Sequence, residues 1–187
     1  MPAGRGARAV LTIAVVALLA WGAGFLAAKA SAEAPGGIGA TYATESAAGG
    51  AAHTAALVDG RAIPPLDAPP AVKRAIRAAN HIRATPYVWG GGHRGWYSRG
   101  YDCSGSVSYA LHGGGLLDTP LVSGSFASWG AAGPGRWITI YANSGHVYAV
   151  IAGLRWDTSG DAHGTGPRWH AEPPYPRGFV VRHPIGY

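Results

Sequence analysis

Cys103 is the only cysteine in 187 residues, and it lies in the stretch Tyr101-Asp102-Cys103-Ser104-Gly105, just where a helix should begin. Val107 to His112 reads as helix, and Gly113-Gly114-Gly115 stops it, glycine being favoured just past a helix C-terminus. That spacing predicts Cys103 in the first turn, with Asp102 as its N-cap. There the unsatisfied backbone N–H groups and the positive end of the helix dipole favour thiolate over thiol, lowering the pKa from about 8.5 toward neutrality. Small polar neighbours at a helix start point to nucleophilic chemistry rather than to a packed apolar thiol.

A thiolate nucleophile needs a base or an imidazolium partner. Of the eight histidines, only His146 opens a strong strand directly after a tight turn, Asn143-Ser144-Gly145, so that its backbone is pinned while its ring faces a cleft. His81, His112, His163 and His183 stand in settings better suited to solvated or structural rings. A third group must orient the imidazole. Asp157, on the strand after the His146 strand, is the first candidate because adjacent antiparallel strands bring such side chains within reach, and His170 is the second. No pair of histidines has close metal-ligand spacing, which argues against a zinc site, and no cofactor is called for.

The elements that must position these residues follow in order. Val72, Ile76, Ala79 and Ile82 recur at helical spacing over Ala71 to Arg83, with Lys73, Arg74 and Arg77 on other faces, predicting an amphipathic first helix that Thr85-Pro86 ends. Tyr87 to His93 is a short extended piece running into glycines, and no Gly-Lys-Ser or Gly-Lys-Thr closes it into a phosphate loop. After the cysteine helix comes a loop-rich stretch with one short helix over Ser125 to Trp129. Strands are expected over Trp137 to Tyr141, His146 to Ala152, Leu154 to Thr158 and Gly178 to His183. Helices first and an antiparallel meander afterwards make an α+β fold.

Ahead of this, Arg5 and Arg8 precede an apolar run from Ala9 to Ala28, and small residues at Ala28-Lys29-Ala30-Ser31-Ala32 offer cleavage sites. Residues 1–32 therefore read as a secretory signal or, if uncleaved, as a membrane anchor. Residues 33–70, dominated by Ala, Gly, Thr and Pro without apolar period, read as a disordered linker that the chemistry does not require, with His53 a solvated residue within it. Before residue 71 four Lys and Arg balance four Asp and Glu, whereas from 71 onward there are eleven against five, so the net charge of +6 belongs to residues 71–187. Such a surface suits anionic envelope polymers. No basic run with interleaved aromatics marks a nucleic-acid partner.

The domain resembles the NlpC-type cysteine peptidases, a papain-like family that cuts peptidoglycan stem peptides. The resemblance runs over about 71–160. It rests on the helix ending in Thr85-Pro86-Tyr87-Val88-Trp89-Gly90-Gly91, then Asp102-Cys103-Ser104-Gly105, then Gly145-His146-Val147-Tyr148-Ala149-Val150, then a strand with a polar third residue. It implies Cys103 as nucleophile and His146 as general base, with Tyr87, Asp102 and Ser104 lining the substrate cleft. The family's third residue is His, Asn or Gln, and Asp157 departs from that. The same scaffold would serve an amidase, an acyltransferase or a non-catalytic wall-binding module. In each case the chain would act outside the cytoplasm.

Overall fold

The amphipathic period of the first helix is realised as α1 (Pro70–Ile82), whose apolar face of Val72, Ala75, Ile76, Ala79 and Ile82 is buried. Each larger side chain on that face contributes about 1.5–3 kcal/mol relative to exposure. Pro70 starts the helix because its missing N–H costs nothing in a first turn. A computed structural model provides the fold and describes residues 53–160 and 166–187.

The cysteine helix, α2 (Cys103–Gly114), is buried along nearly its whole length and packs against α1. Small residues let the two helices approach closely: a side chain at Gly113 would collide with Ala78. Gly115 ends α2 in the left-handed region at φ 75°, its N–H bonded back to the His112 carbonyl at 2.8 Å. A one-turn helix, α3 (Ser123–Phe126), follows, two residues earlier than the sequence period suggested.

Among the described residues, eight strands form two sheets. The six-stranded one has the order β3 (Ala131–Ala132), β8 (Val180–His183), β4 (Ile138–Ala142), β5 (Val147–Ile151), β6 (Leu154–Asp157), β7 (Arg168–His170), antiparallel throughout. Strands β4 to β6 are the expected meander and β8, the expected last strand, pairs back against β4, whereas β7, where the sequence predicts no strand, adds to the far side of β6. The helices and this sheet share one core. Trp156 on β6 donates from Nε1 to the Ser106 carbonyl of α2 at 3.2 Å, tying the His146 side of the site to the Cys103 side. The α+β reading holds.

The linker expected over 33–70 needs correction in its second half. Residues 56–63 form a hairpin, β1 (Ala56–Val58) and β2 (Arg61–Ile63), turning at Asp59-Gly60, both with positive φ. Ala55 and Ala62 are buried in the core, and the Ala55 N–H bonds to the Ala152 carbonyl at 2.7 Å. Asn80 of α1 clamps the hairpin, its Oδ1 accepting from Ala62 N at 3.0 Å and its Nδ2 donating to Ala62 O at 2.8 Å. The same Oδ1 accepts from Trp169 Nε1 on β7 at 2.9 Å. His53, read as a solvated linker residue, is half-exposed and in addition pairs with Asp67 and sets its ring edge-on to Trp137. Three-residue strands with only Ala62 buried leave no apolar period to read. The signal or anchor expected over 1–32 and the linker up to residue 52 lie outside the described residues. Among the described residues, no helix is long and apolar enough to cross a membrane.

Candidate active site

Asp102 is the N-cap of α2, its Oδ1 accepting from the Gly105 N–H at 2.7 Å, which leaves Cys103 as the first helical residue. Gly105 must lack a side chain because the Gly91 carbonyl passes over the place a Cβ would fill. The glycine run and the helix start are thus locked together, with Asp102 N bonded to Gly91 O at 3.3 Å. A single parallel bridge between Tyr87 and Tyr101 brings Tyr87 alongside the same corner. Burial pushes the Tyr87 phenol up, as do the nearby charges of Cys103 and Asp102.

His146 is set by its turn. Asn143 Oδ1 accepts from the N–H groups of Gly145 and His146 at 2.9 and 2.8 Å, and Asn143 N bonds to His146 O at 2.9 Å. In the β5–β6 register Ala149 faces Trp156, so one further step puts Asp157 opposite Tyr148 and on the same face as His146 two residues away. His146 Nε2 lies 2.9 Å from Asp157 Oδ1. An ionised carboxylate only accepts, so Nε2 carries the proton and Nδ1 is left to interact with Cys103. The Asp157 side chain is 0% exposed and that of His146 21%.

Three linked ionisations result. For the Cys103 thiol, burial acts upward but is overcome by hydrogen bonds to His146 and Ser123, by the imidazolium charge and by the Val147 N–H, leaving it below its ordinary value. For His146, burial acts downward but hydrogen bonds to Asp157 and Cys103 and their charges push it up to about 9. For Asp157, burial again acts upward and is overcome by His146, by the Tyr175 hydroxyl and by the Ser159 N–H, holding it below the usual carboxylate range. With the thiol shifted down and the imidazole shifted up, the arrangement favours proton transfer from Cys103 to His146.

A cleft of about 460 Å³ opens over Cys103, lined by Tyr87, His93, Asp102, Ser104 and Ser123 among others. The three residues expected to line a substrate cleft, Tyr87, Asp102 and Ser104, thus all border it. His170, the alternative third residue, is not on His146: its Nδ1 sits 3.8 Å from Glu172 Oε2, and burial followed by the Arg155 charge lowers its pKa. Among the described residues, no group of three or more His, Cys, Asp or Glu side chains is placed to hold a metal ion.

Three residues at the site escaped the sequence reading. Ser123 brings its hydroxyl to 3.4 Å from Cys103 Sγ, because α3 starts earlier than its apolar residues suggest. His93 sets Nε2 at 3.0 and 3.1 Å from the two Asp102 oxygens and 3.1 Å from Ser104 Oγ, and its glycine-rich surroundings carry no period. Tyr175 donates its hydroxyl to Asp157 Oδ2 at 2.6 Å. Its one signal was the rigid run Pro173-Pro174-Tyr175-Pro176, with an aromatic held among prolines.

No family model matches the chain. Its sequence is similar to peptidoglycan endopeptidase RipB of Mycobacterium tuberculosis, at 31% identity over 51% of this chain and 50% of RipB. The chain spans about half the length of the curated relatives it matches. Among solved structures, the peptidoglycan hydrolase RipB gives a TM-score of 0.48 at 31% identity, covering 63% of this chain and 66% of that one. RipD of Mycobacterium tuberculosis, described as a non-catalytic NlpC/p60 domain protein adapted to peptidoglycan binding, gives 0.44 at 21%, covering 62% and 98%. The resemblance read from the motifs is borne out by this likeness to a peptidoglycan endopeptidase.

Proposed function

We propose that this chain is an exported cysteine peptidase that hydrolyses amide bonds in peptidoglycan stem peptides. The observation that carries the reading is the line from Cys103 through His146 to Asp157, set at a cleft over a helix start. The Cys103 thiolate attacks the amide carbonyl carbon, forming a C–S bond and a tetrahedral oxyanion. The Cys103 backbone N–H, in a first turn with no intrahelical acceptor, is placed to stabilise that charge. His146 gives its Nδ1 proton to the leaving amine as the C–N bond breaks. Water then attacks the thioester while His146 takes its proton, releasing the carboxylic acid and restoring the thiolate.

Asp157 keeps the imidazole in the required tautomer and stabilises its cation. Tyr87, Asp102 and Ser104 hold the peptide beside the nucleophile. The relative's name supports the substrate class. Export rests on Arg5, Arg8 and the apolar run after them, whether that segment is cleaved or stays as an anchor. The test is a digest of purified peptidoglycan by the full chain and by Cys103→Ala, with products read by mass spectrometry. New amine and carboxylate termini within stem peptides, made only by the unaltered chain, are expected; transfer products or an unchanged polymer would overturn the reading.

A further inference from the structure

We propose that Tyr175 is a positioning residue of this site, a fourth member that fixes the Asp157 carboxylate so that its other oxygen stays on His146. The proposal rests on the cysteine-peptidase reading above, and its basis is geometry. Asp157 Oδ2 accepts the Tyr175 hydroxyl at 2.6 Å, while Oδ1 accepts from His146 Nε2 and from the Ser159 N–H, both at 2.9 Å. With the carboxylate fully buried, each of these donors decides its rotation. A carboxylate turning freely would carry the imidazole with it, and Nδ1 would lose its aim at Cys103.

Tyr175 is itself held from several sides. Its N–H bonds to the Tyr148 hydroxyl at 3.1 Å, its ring packs 4.6 Å from that of Tyr148 and edge-on to Phe179, and the Arg155 guanidinium lies 5.0 Å from its centroid. Prolines 173, 174 and 176 stiffen the segment that carries it. The charged and titratable groups facing Asp157 and Tyr175 are His146, Arg155, Tyr148 and His170, with Arg155 Nη1 3.8 Å from Asp157 Oδ2. Burial and then the Asp157 carboxylate push the phenol well up, so it remains an O–H donor throughout the working range. The segment between β7 and β8 therefore does more than connect two strands.

Tyr175→Phe keeps the ring and removes only the donor, which makes it the informative variant. In the full chain we expect kcat on peptidoglycan fragments to fall about tenfold with KM unchanged, the loss of one hydrogen bond to a charged group. The pH midpoint for iodoacetamide alkylation of Cys103 should shift in the same direction as in Asp157→Asn, and the double variant should show no more than Asp157→Asn alone. Unchanged kcat and midpoint in Tyr175→Phe, or losses that multiply in the double variant, would overturn the assignment. Alkylation needs no substrate, so it separates the two readings. A wild-type Cys103 that alkylates like a free thiol ends the peptidase reading and this one together, whereas a normal wild-type profile unmoved by Tyr175→Phe ends this one alone.

Discussion

Two histidine–aspartate pairs border the Cys103 site, at almost the same distance: His93 with Asp102 at 3.0 Å and His146 with Asp157 at 2.9 Å. The two rings are equally exposed, 21% each. What differs is the region that holds them. His93 comes from the glycine-rich loop before α2, and its aspartate is already occupied as a helix cap, accepting from the Gly90 and Gly105 N–H groups and the Ser104 hydroxyl. His146 comes from the rim of the sheet, and its aspartate is sealed beneath it with the free ring nitrogen turned to the thiol. Distance between the partners does not separate the two pairs; the hydrogen bond between His146 and the Cys103 thiol does.

The largest effect that would test this contrast comes from the thiol that only one pair serves. Cys103→Ser should lower peptidoglycan hydrolysis by at least about 10⁴-fold while leaving circular dichroism and melting unchanged, because the residue sits at a helix start with small neighbours. His146→Ala should approach the same loss. Substantial hydrolysis surviving in a folded Cys103→Ser chain would remove the reason to rank the two pairs differently.

Next in size is Asp157→Asn, expected to cost roughly 10² to 10⁴-fold in kcat. The pH dependence gives its sign. Hydrolysis by the unaltered chain should fall as pH drops through the lowered thiol pKa, since the thiolate would be reprotonated, and fall again as pH rises through about 9, since His146 would lose the proton owed to the leaving amine. Without the aspartate, burial of the ring is less opposed, so the alkaline limb moves to lower pH and the alkylation midpoint of Cys103 moves up. An alkaline limb that stays near pH 9 in Asp157→Asn would show that the carboxylate does not set the imidazole.

A third test concerns support for the sheet region from outside it. Removing residues before Pro70 takes away the β1–β2 hairpin and two of the three partners of buried Asn80. Two orphaned hydrogen bonds and the lost cover over the core should cost about 2–4 kcal/mol, read as a lower denaturation midpoint with Cys103 chemistry kept where the chain is folded. Equal stability of the two chains would restore the linker reading of this stretch.

Legibility in the sequence divided along the same lines as the two pairs. Cys103, His146 and Asp157 stand on elements that announce themselves through helix capping, a hairpin turn and strand alternation, and register arithmetic then brings the last two together. The helices, the meander and the α+β class followed from the same periodicities. Ser123, His93 and Tyr175 occupy a one-turn helix, a glycine loop and a proline run, where side chains are placed by tertiary contact and local pattern is silent. The hairpin at 56–63 escaped for a related reason: its stability comes from Asn80, on another element, and not from an apolar stripe of its own.

The smallest expected effect is the one that isolates the loop pair. His93→Ala removes a ring whose Nε2 touches both Asp102 oxygens, yet Asp102 keeps two backbone donors and the Ser104 hydroxyl, so the cap on α2 survives. The thiol keeps every group that lowers its pKa, since none of them is His93. The alkylation profile of Cys103 should therefore match the unaltered chain, and kcat should hold. What changes is the cleft wall, where an acceptor-rich carboxylate loses its imidazole cover. We expect KM for stem peptides to change by less than about tenfold, an amount typical of one hydrogen-bonded contact. A collapse of kcat comparable with that of His146→Ala, or a shifted alkylation midpoint, would mean that both pairs act on the nucleophile and that the boundary drawn between loop and sheet is wrong.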